Sequence, residues 1–258
     1  MGHQHRDGSA GDVNYGRLAS TYSRYRQPDP AIAAFIRSFL GNARSVLNVG
    51  AGTGSYEPED RKVTAVEPSA SMRAERPIHF PEAIDAIAEN LPFADGAFDA
   101  SMAISTVHQW ADPGAGLLEL RRVTLGPVLV LTCEPQELDR FWLNDYAPEV
   151  IATESRRFPA TQDIIKHLGA HSVVKPVPIP LQCKDGFNEA YYGRPEMLLI
   201  PEARQACSAW SFLAPDAVER FQAHLIRDLK SGAWDKKYGY LRKQPTFEGS
   251  LTLIIGLL

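Results

Sequence analysis

No stretch of this chain constrains its fold more than Val46-Leu47-Asn48-Val49-Gly50-Ala51-Gly52-Thr53-Gly54. An apolar run ends in three glycines at alternate positions. A second apolar run, Val63-Thr64-Ala65-Val66, ends in the lone carboxylate of Glu67, followed by Pro68. Glycine has no Cβ, so its backbone can take positive φ and approach a ligand closely. A carboxylate at the tip of the next parallel strand can accept hydrogen bonds from both hydroxyls of a ribose. The pair predicts a nucleoside-binding crevice at the carboxyl ends of parallel strands.

The rest of the sequence alternates strands and helices. Asp29-Pro30 is a helix start, with an N-cap carboxylate and proline at the first helical position. Ile32, Phe35, Ile36, Phe39 and Leu40 then fall at helical spacing. Apolar runs at 45–49, 62–66, 84–88, 98–104 and 128–132 predict strands. Asp112-Pro113 starts a second helix between the last two. The link after Gly54 is short and contains Pro58, so the first crossover can hold little more than a turn. After Thr132 the rhythm changes to helical, aromatic-rich segments. A proline-containing run at 172–180 predicts an edge strand, 215–230 a long helix, and 250–258 a closing strand. This pattern predicts an α/β fold: a doubly wound, mostly parallel seven-stranded sheet of the Rossmann-like kind, with a helical insertion near the C-terminus. Residues 1–12 are expected to be a flexible tail and 13–258 a single domain. Within it, 13–135 form the core, 136–249 a variable and partly helical region, and 250–258 the last strand.

Composition narrows the function classes. The chain has 258 residues, 44% of them hydrophobic and 22% charged, and a formal net charge of −4, which leaves no basic footprint for nucleic acid. Three widely spaced cysteines, Cys133, Cys183 and Cys207, give no disulfide framework and point to a reducing compartment, the cytoplasm. No apolar run has the length of a membrane span. His3 and His5 lie in the polar tail with no accompanying ligand cluster, so no metal site is expected.

The glycine pattern is not the dinucleotide fingerprint, whose third glycine falls one position later, where this chain has Ser55. Three ordered motifs carry a resemblance instead. Val46–Gly54 with Glu67 resembles motif I and the following acidic position of class I S-adenosylmethionine-dependent methyltransferases. Ala88-Glu89-Asn90-Leu91-Pro92-Phe93-Ala94-Asp95-Gly96-Ala97-Phe98-Asp99 resembles the "AExLPFxDxxFD" segment of the methyltransferase type 11 group. Ser105-Thr106-Val107-His108-Gln109-Trp110 resembles the "HHW" tip that follows the fourth strand there. The resemblance covers about residues 13–135.

It implies S-adenosylmethionine as cofactor and S-adenosylhomocysteine as product. Asn48, Gly50, Ala51, Gly52 and Gly54 would lie against the methionine and ribose portion, with Glu67 and Pro68 at the ribose. Ala88 and Glu89 would border the adenine, and Ser105 the sulfonium. Three departures stand out. Asn48 replaces an Asp common in the group, Ile87 replaces an adenine-contacting Asp, and the crossover after the glycine loop is shortened.

Methyl transfer needs mainly alignment of nucleophile and methyl with exclusion of water. A base helps where the acceptor carries a proton. His108, after the fourth strand, is the catalytic candidate; packing against substrate or loop is its other reading. Arg24 or Arg26 could pair the cofactor carboxylate or an acidic substrate, with Tyr15 or Tyr22 covering the methionine end. A solvated helix face is the alternative for all four. For the cofactor site, Tyr22 and Arg26 are the expected members of this group. Trp142, Tyr146, Tyr191 and Tyr192 are the expected acceptor-pocket residues; Asp145 and Phe187, in the same variable region, are further candidates for its lining, and core packing is the competing role for each. The expected acceptor is a small molecule, at O or N rather than C. The Asn/Asp-Pro-Pro-Tyr tetrad of amino-methylating families is missing, because the corresponding position reads Ser101-Met102-Ala103-Ile104-Ser105. Two rival functions stay open: an NAD(P)-dependent oxidoreductase, and a non-catalytic S-adenosylmethionine-binding protein. Oligomeric state leaves no mark in the sequence.

Overall fold

The computed structural model describes residues 24–169 and 171–257. Its strands are β1 (Ser45–Val49), β2 (Lys62–Val66), β3 (Ala100–Ile104), β4 (Val128–Cys133), β5 (Val173–Pro176), β6 (Ile179–Pro180), β7 (Thr246–Phe247) and β8 (Leu251–Gly256). Its α-helices are α1 (Pro30–Ser38), α2 (Ala70–Ala74), α3 (Pro113–Arg122), α4 (Pro148–Arg157), α5 (Thr161–Leu168), α6 (Pro201–Gln205), α7 (Pro215–Ser231) and α8 (Ala233–Tyr238). Six strands form one sheet in the order β2-β1-β3-β4-β8-β5. β1 is parallel to β2 and β3, β3 is parallel to β4, and β8 runs antiparallel between β4 and β5. From β1 the chain first winds outward to β2 and then returns to β3 on the other side. The crevice at this reversal, above Val49 and Ile104, is where an open α/β sheet accepts a ligand.

The side chains of the sheet divide by strand period. Leu47, Val49, Ala103, Val130 and Ile254 face α3 and α5, through Leu117, Leu120, Ile164 and Leu168. Val46, Met102, Leu129, Leu131, Leu253 and Ile255 face α1 and the late helices, through Ile32, Ile36, Phe221 and Trp234. α1 starts as its sequence predicts: Asp29 Oδ1 accepts the N–H of Ala31 at 2.9 Å, and Pro30 opens the helix.

Two expected strands are altered. The run at 84–88 is reduced to a single parallel bridge, Val66 to Ile84, so the sheet has six strands rather than seven. Ile84 and Ile87 are each 39% exposed: this outer edge lacks the double cover that a parallel strand needs. The run at 172–180 splits at its prolines. Val173–Pro176 pairs with β8, whereas Ile179–Pro180 leaves the sheet to form a two-stranded ladder with β7. The link from β1 to β2 contains turns and no helix, and among the described residues no helix is long and apolar enough to cross a membrane.

Candidate functional site

Gly50, Gly52 and Gly54 have φ of +66°, +52° and +96°. A Cβ on Gly50 would lie 2.0 Å from Thr106 Oγ1, so this glycine lets the β1 loop press against the β3 loop. Glu67, buried at the tip of β2, accepts the N–H of Gly52 at 2.8 Å and of Ser69 at 2.9 Å. Burial raises its carboxyl pKa while these two hydrogen bonds and the nearby Arg73 and Arg76 pull it down. Each carboxylate oxygen keeps a second lone pair for a ligand.

No crossover helix backs the glycine loop, and a buried ion pair stands in its place. Arg76 Nη2 lies 2.9 Å from Glu57 Oε2, their side chains 4% and 1% exposed. Asn48 Nδ2 donates to Glu57 Oε1 at 2.9 Å, and Arg76 Nη1 donates to the carbonyl of Gly52 at 3.3 Å. Asn48 therefore has a reason not to be Asp: a carboxylate there would face Glu57 at hydrogen-bond distance.

Two adjoining cavities open from this frame. The first is bordered by the glycine loop, Glu67, Pro68, Met72, Ala88, Glu89, Ser105, Thr106 and Gln109. The sequence-expected cofactor residues Arg26, Asn48, Gly50, Ala51, Gly52, Glu67, Pro68, Ala88, Glu89 and Ser105 all come together on its wall. Gly54 is not on that wall; its positive φ and the Phe80 ring, 2.6 Å from where a Cβ would stand, give it a turn-forming role. Tyr15 and Tyr22 lie outside the described residues. Three buried polar atoms on this wall have no hydrogen-bond partner: Asn48 Oδ1, Gln109 Oε1 and Gln109 Nε2. Leaving such atoms unpaired costs about 1–3 kcal/mol each.

The second cavity lies behind the first. Arg26, Tyr56, Ser105 and Asp185 border both and form the neck between them. Arg26 Nε and Asp185 Oδ1 are 2.5 Å apart, and Tyr56 Oη donates to Asp185 Oδ2 at 2.9 Å. Burial and the Asp185 charge push the Tyr56 hydroxyl pKa far up, so it stays protonated. Ser105, with φ +52°, turns the chain at the tip of β3. Beyond the neck the wall holds His108, Phe141, Phe158 and Phe187, with Glu154 and Glu189. The His108 ring packs on Phe158 at a centroid distance of 4.3 Å.

The four aromatics expected in an acceptor pocket border neither cavity. Trp142 donates to Tyr192 O at 3.0 Å, Tyr146 to Asp228 at 3.1 Å and Tyr192 to Gln244 O at 2.7 Å, while Tyr191 is buried beneath Arg194. Their hydrophobic bodies build the core that carries the cavity, and Phe158 and Phe187 supply the wall. Sequence reasoning passed over Gln109, although it sits inside the His-Gln-Trp motif. Tyr56 and Asp185, 129 positions apart, leave no local signal.

Burial, aided by the charges of Arg157 and Arg26, lowers the His108 pKa to about 3. All three cysteine thiols are pushed up by burial, Cys183 and Cys207 to about 12. They are therefore protonated, and the imidazole is neutral, at neutral pH.

Residues 47–126 match the family model of the methyltransferase domain. A candidate methyltransferase from an antibiotic biosynthesis pathway of Anabaena variabilis ATCC 29413 is similar over 92% of this chain and 100% of its own, with 28% identity and a TM-score of 0.83. An S-adenosylmethionine-dependent methyltransferase of Thermotoga maritima, a candidate histamine N-methyltransferase, shares the fold: 17% identity over 94% of this chain and 97% of its own, TM-score 0.56. No curated protein matches the chain. Residues 47–126 thus match a methyltransferase domain, in a chain whose fold is similar to that of solved methyltransferases.

Replacing Arg76 by Met should destabilise the fold by about 3–5 kcal/mol, because Glu57 would be left buried and unpaired. The Arg76→Met/Glu57→Gln double variant should regain most of that loss in urea unfolding. A single-variant loss under about 1 kcal/mol is what a solvent-exposed pair would give. His108 provides a pH signature. Its folded pKa of about 3 lies below the unfolded value of about 6.5. Between these values the unfolded chain binds more protons, so stability is full above about pH 6.5 and falls as pH drops toward 3. His108→Asn should therefore lose less of its urea midpoint than the parent between about pH 7.5 and 5; equal losses would mean that the imidazole is not depressed.

Proposed function

We propose that this protein transfers the methyl group of S-adenosylmethionine to an oxygen or nitrogen atom of a small molecule held in the second cavity. The observation that carries this reading is the pairing of the two cavities through one neck at Ser105, the first with unpartnered polar atoms on its wall. Those atoms suit the cofactor. Asn48 Oδ1 is an acceptor beside the glycine loop, complementary to an ammonium. The Gln109 amide, a donor next to an acceptor, complements the adenine edge that Ile87 has no group to meet. Glu67 would take the ribose hydroxyls, with the Gly50–Gly52 backbone along the ligand. Bound there, S-adenosylmethionine supplies an electrophilic methyl on a sulfonium.

The protein's part is positioning, dryness and proton acceptance. Holding two reactants at the neck supplies entropy otherwise lost on encounter, worth up to about 7–11 kcal/mol. The apolar walls exclude competing water. His108, kept neutral by its burial, offers a ring nitrogen to the acceptor's proton. A weakly basic imidazole suffices, since the hydrogen on an oxygen or nitrogen that is gaining a methyl becomes strongly acidic. The acidic chain and its free cysteines suit a small-molecule acceptor in the reducing cytoplasm.

Titration with S-adenosylhomocysteine, followed by tryptophan fluorescence, should show saturable binding, with NAD giving none. Glu67→Ala should weaken that binding by about 1.5–3 kcal/mol, the range for hydrogen bonds to a charged group. Full-strength binding by the variant would put the ribose elsewhere. His108→Ala should lower turnover by at least about tenfold and leave S-adenosylhomocysteine affinity within a few-fold; unchanged turnover would remove the base.

A further inference from the structure

The polar groups on the wall of the second cavity can be followed to their partners one at a time. The Asp185 carboxylate is taken by Arg26 at 2.5 Å and Tyr56 at 2.9 Å. Glu189 receives the N–H and the hydroxyl of Ser250, both at 2.9 Å. Glu154 accepts from Asn188 Nδ2 at 3.3 Å and lies 3.6 Å from Arg157. Asn188 Oδ1 accepts from Trp210 Nε1 at 2.9 Å, and Ser208 Oγ accepts from Arg157 at 2.9 Å. The Cys207 thiol is turned to the Gly186 carbonyl. Two side chains are left without a hydrogen-bond partner among the described residues: the imidazole of His108 and the hydroxyl of Ser105. Ser105 stands at the neck, and His108 follows three positions later on the same turn. The apolar wall beyond them is ring and aliphatic surface: Phe141, Phe158, Phe187, Leu138 and Ile151.

This census defines what the cavity can accept. A carboxylate or phosphate would meet no free cation, since Arg26 and Arg157 already face Asp185 and Glu154, and an ammonium would meet in Glu189 a carboxyl already held by Ser250 and pushed toward its neutral form by burial; an unpaired buried charge is strongly disfavoured. Flat apolar rings are favoured by the faces and edges of three phenylalanines. One polar group is welcome, and only near the neck, where the Ser105 hydroxyl can donate and the His108 imidazole, on the wall beyond it, can accept. A phenolic oxygen supplies the hydrogen for the first and a lone pair for the second, and keeps one lone pair for carbon.

We infer that the acceptor is an uncharged aromatic compound bearing a hydroxyl group, a phenol, with its ring among Phe141, Phe158 and Phe187 and its hydroxyl donated to His108. The inference rests on the methyltransferase reading of the site. In the reaction the phenolic oxygen forms the new bond to the methyl carbon, and the electron pair of the methyl–sulfur bond stays with sulfur. The hydroxyl proton leaves to the His108 ring nitrogen and then to solvent, giving an aryl methyl ether and a thioether. Charge balances: the positive charge of the sulfonium leaves as that proton.

The test uses three probes of one shape: 1-naphthol, 1-naphthoate and 1-naphthylmethylammonium. Each is titrated by calorimetry into protein already saturated with S-adenosylhomocysteine. 1-Naphthol should bind at least about tenfold more tightly than either charged analogue. His108→Ala should weaken 1-naphthol about three- to tenfold. His108→Phe, which keeps a ring against Phe158, should show the same loss and so separate the hydrogen bond from packing. With S-adenosylmethionine present, mass spectrometry should find the naphthyl methyl ether. Equal or tighter binding of naphthoate or the ammonium, or binding of none of the three, overturns the inference. Failure of S-adenosylhomocysteine to bind at the outset counts against the cofactor reading itself, before any acceptor is added.

Discussion

The buried contact between Arg76 and Glu57 is what the ligand-binding half of this molecule depends on. In most doubly wound folds a helix packs behind the first strand and fixes the loop that precedes it. Here that helix is missing, and the twelve-residue link from Gly50 to Arg61 has no hydrogen-bonded ladder of its own. Arg76 reaches back from the end of α2 to hold Glu57, and Glu57 holds Asn48. The glycine loop is thus fixed by charge-assisted hydrogen bonds in place of a packed helix face. Such contacts gain strength from their dryness and fail sharply when one partner is removed. The replacement of Asp by Asn at position 48 follows from the same arrangement. The negative charge here sits on Glu57, where Arg76 neutralises it.

Around this frame the two halves of the chain divide the chemistry. Residues 48–110 build most of a polar groove of backbone, carboxylate and amide. The later helices deliver most of a largely apolar chamber whose polar side chains bond mainly to one another. The two cavities share Tyr56, Ser105, Arg26 and Asp185. Because Arg26 lies just before α1 and Asp185 follows β6, the Arg26–Asp185 contact ties the beginning of the described chain to its late insertion. The neck is therefore assembled only when both halves are folded.

The groove could be read from sequence because its determinants are local. Glycines at alternate positions encode positive φ, and Glu67 is placed by the length of a single strand. The chamber was legible only at His108 and Phe187, since the rest of its wall is drawn from β4, α4 and separate late segments, and no spacing rule links them. Aromatic content misled here. Trp142, Tyr146, Tyr191 and Tyr192 are the conspicuous residues, yet they settle into the core, Trp142 and Tyr192 with backbone partners and Tyr146 with a carboxylate. The less conspicuous Phe158 and Phe187 face the space. The run at 84–88 has the composition of a strand but lacks a covering layer, and one bridge is all that forms. The shortened crossover, by contrast, was legible, because Pro58 and the small number of residues leave no room for a helix.

That single bridge makes β2 nearly an edge strand, held on one side by β1 and on the other only at Ile84. Of the strands that border the groove, β2 is the least covered, and it carries Glu67 at its tip. Opening of β2 would cost much less than global unfolding, so its amides belong to the fast-exchanging, low-energy end of the stability spectrum. A ligand bridging Glu67 to the glycine loop would act as a missing structural member, closing the side of the sheet where the third strand and the crossover helix are both reduced.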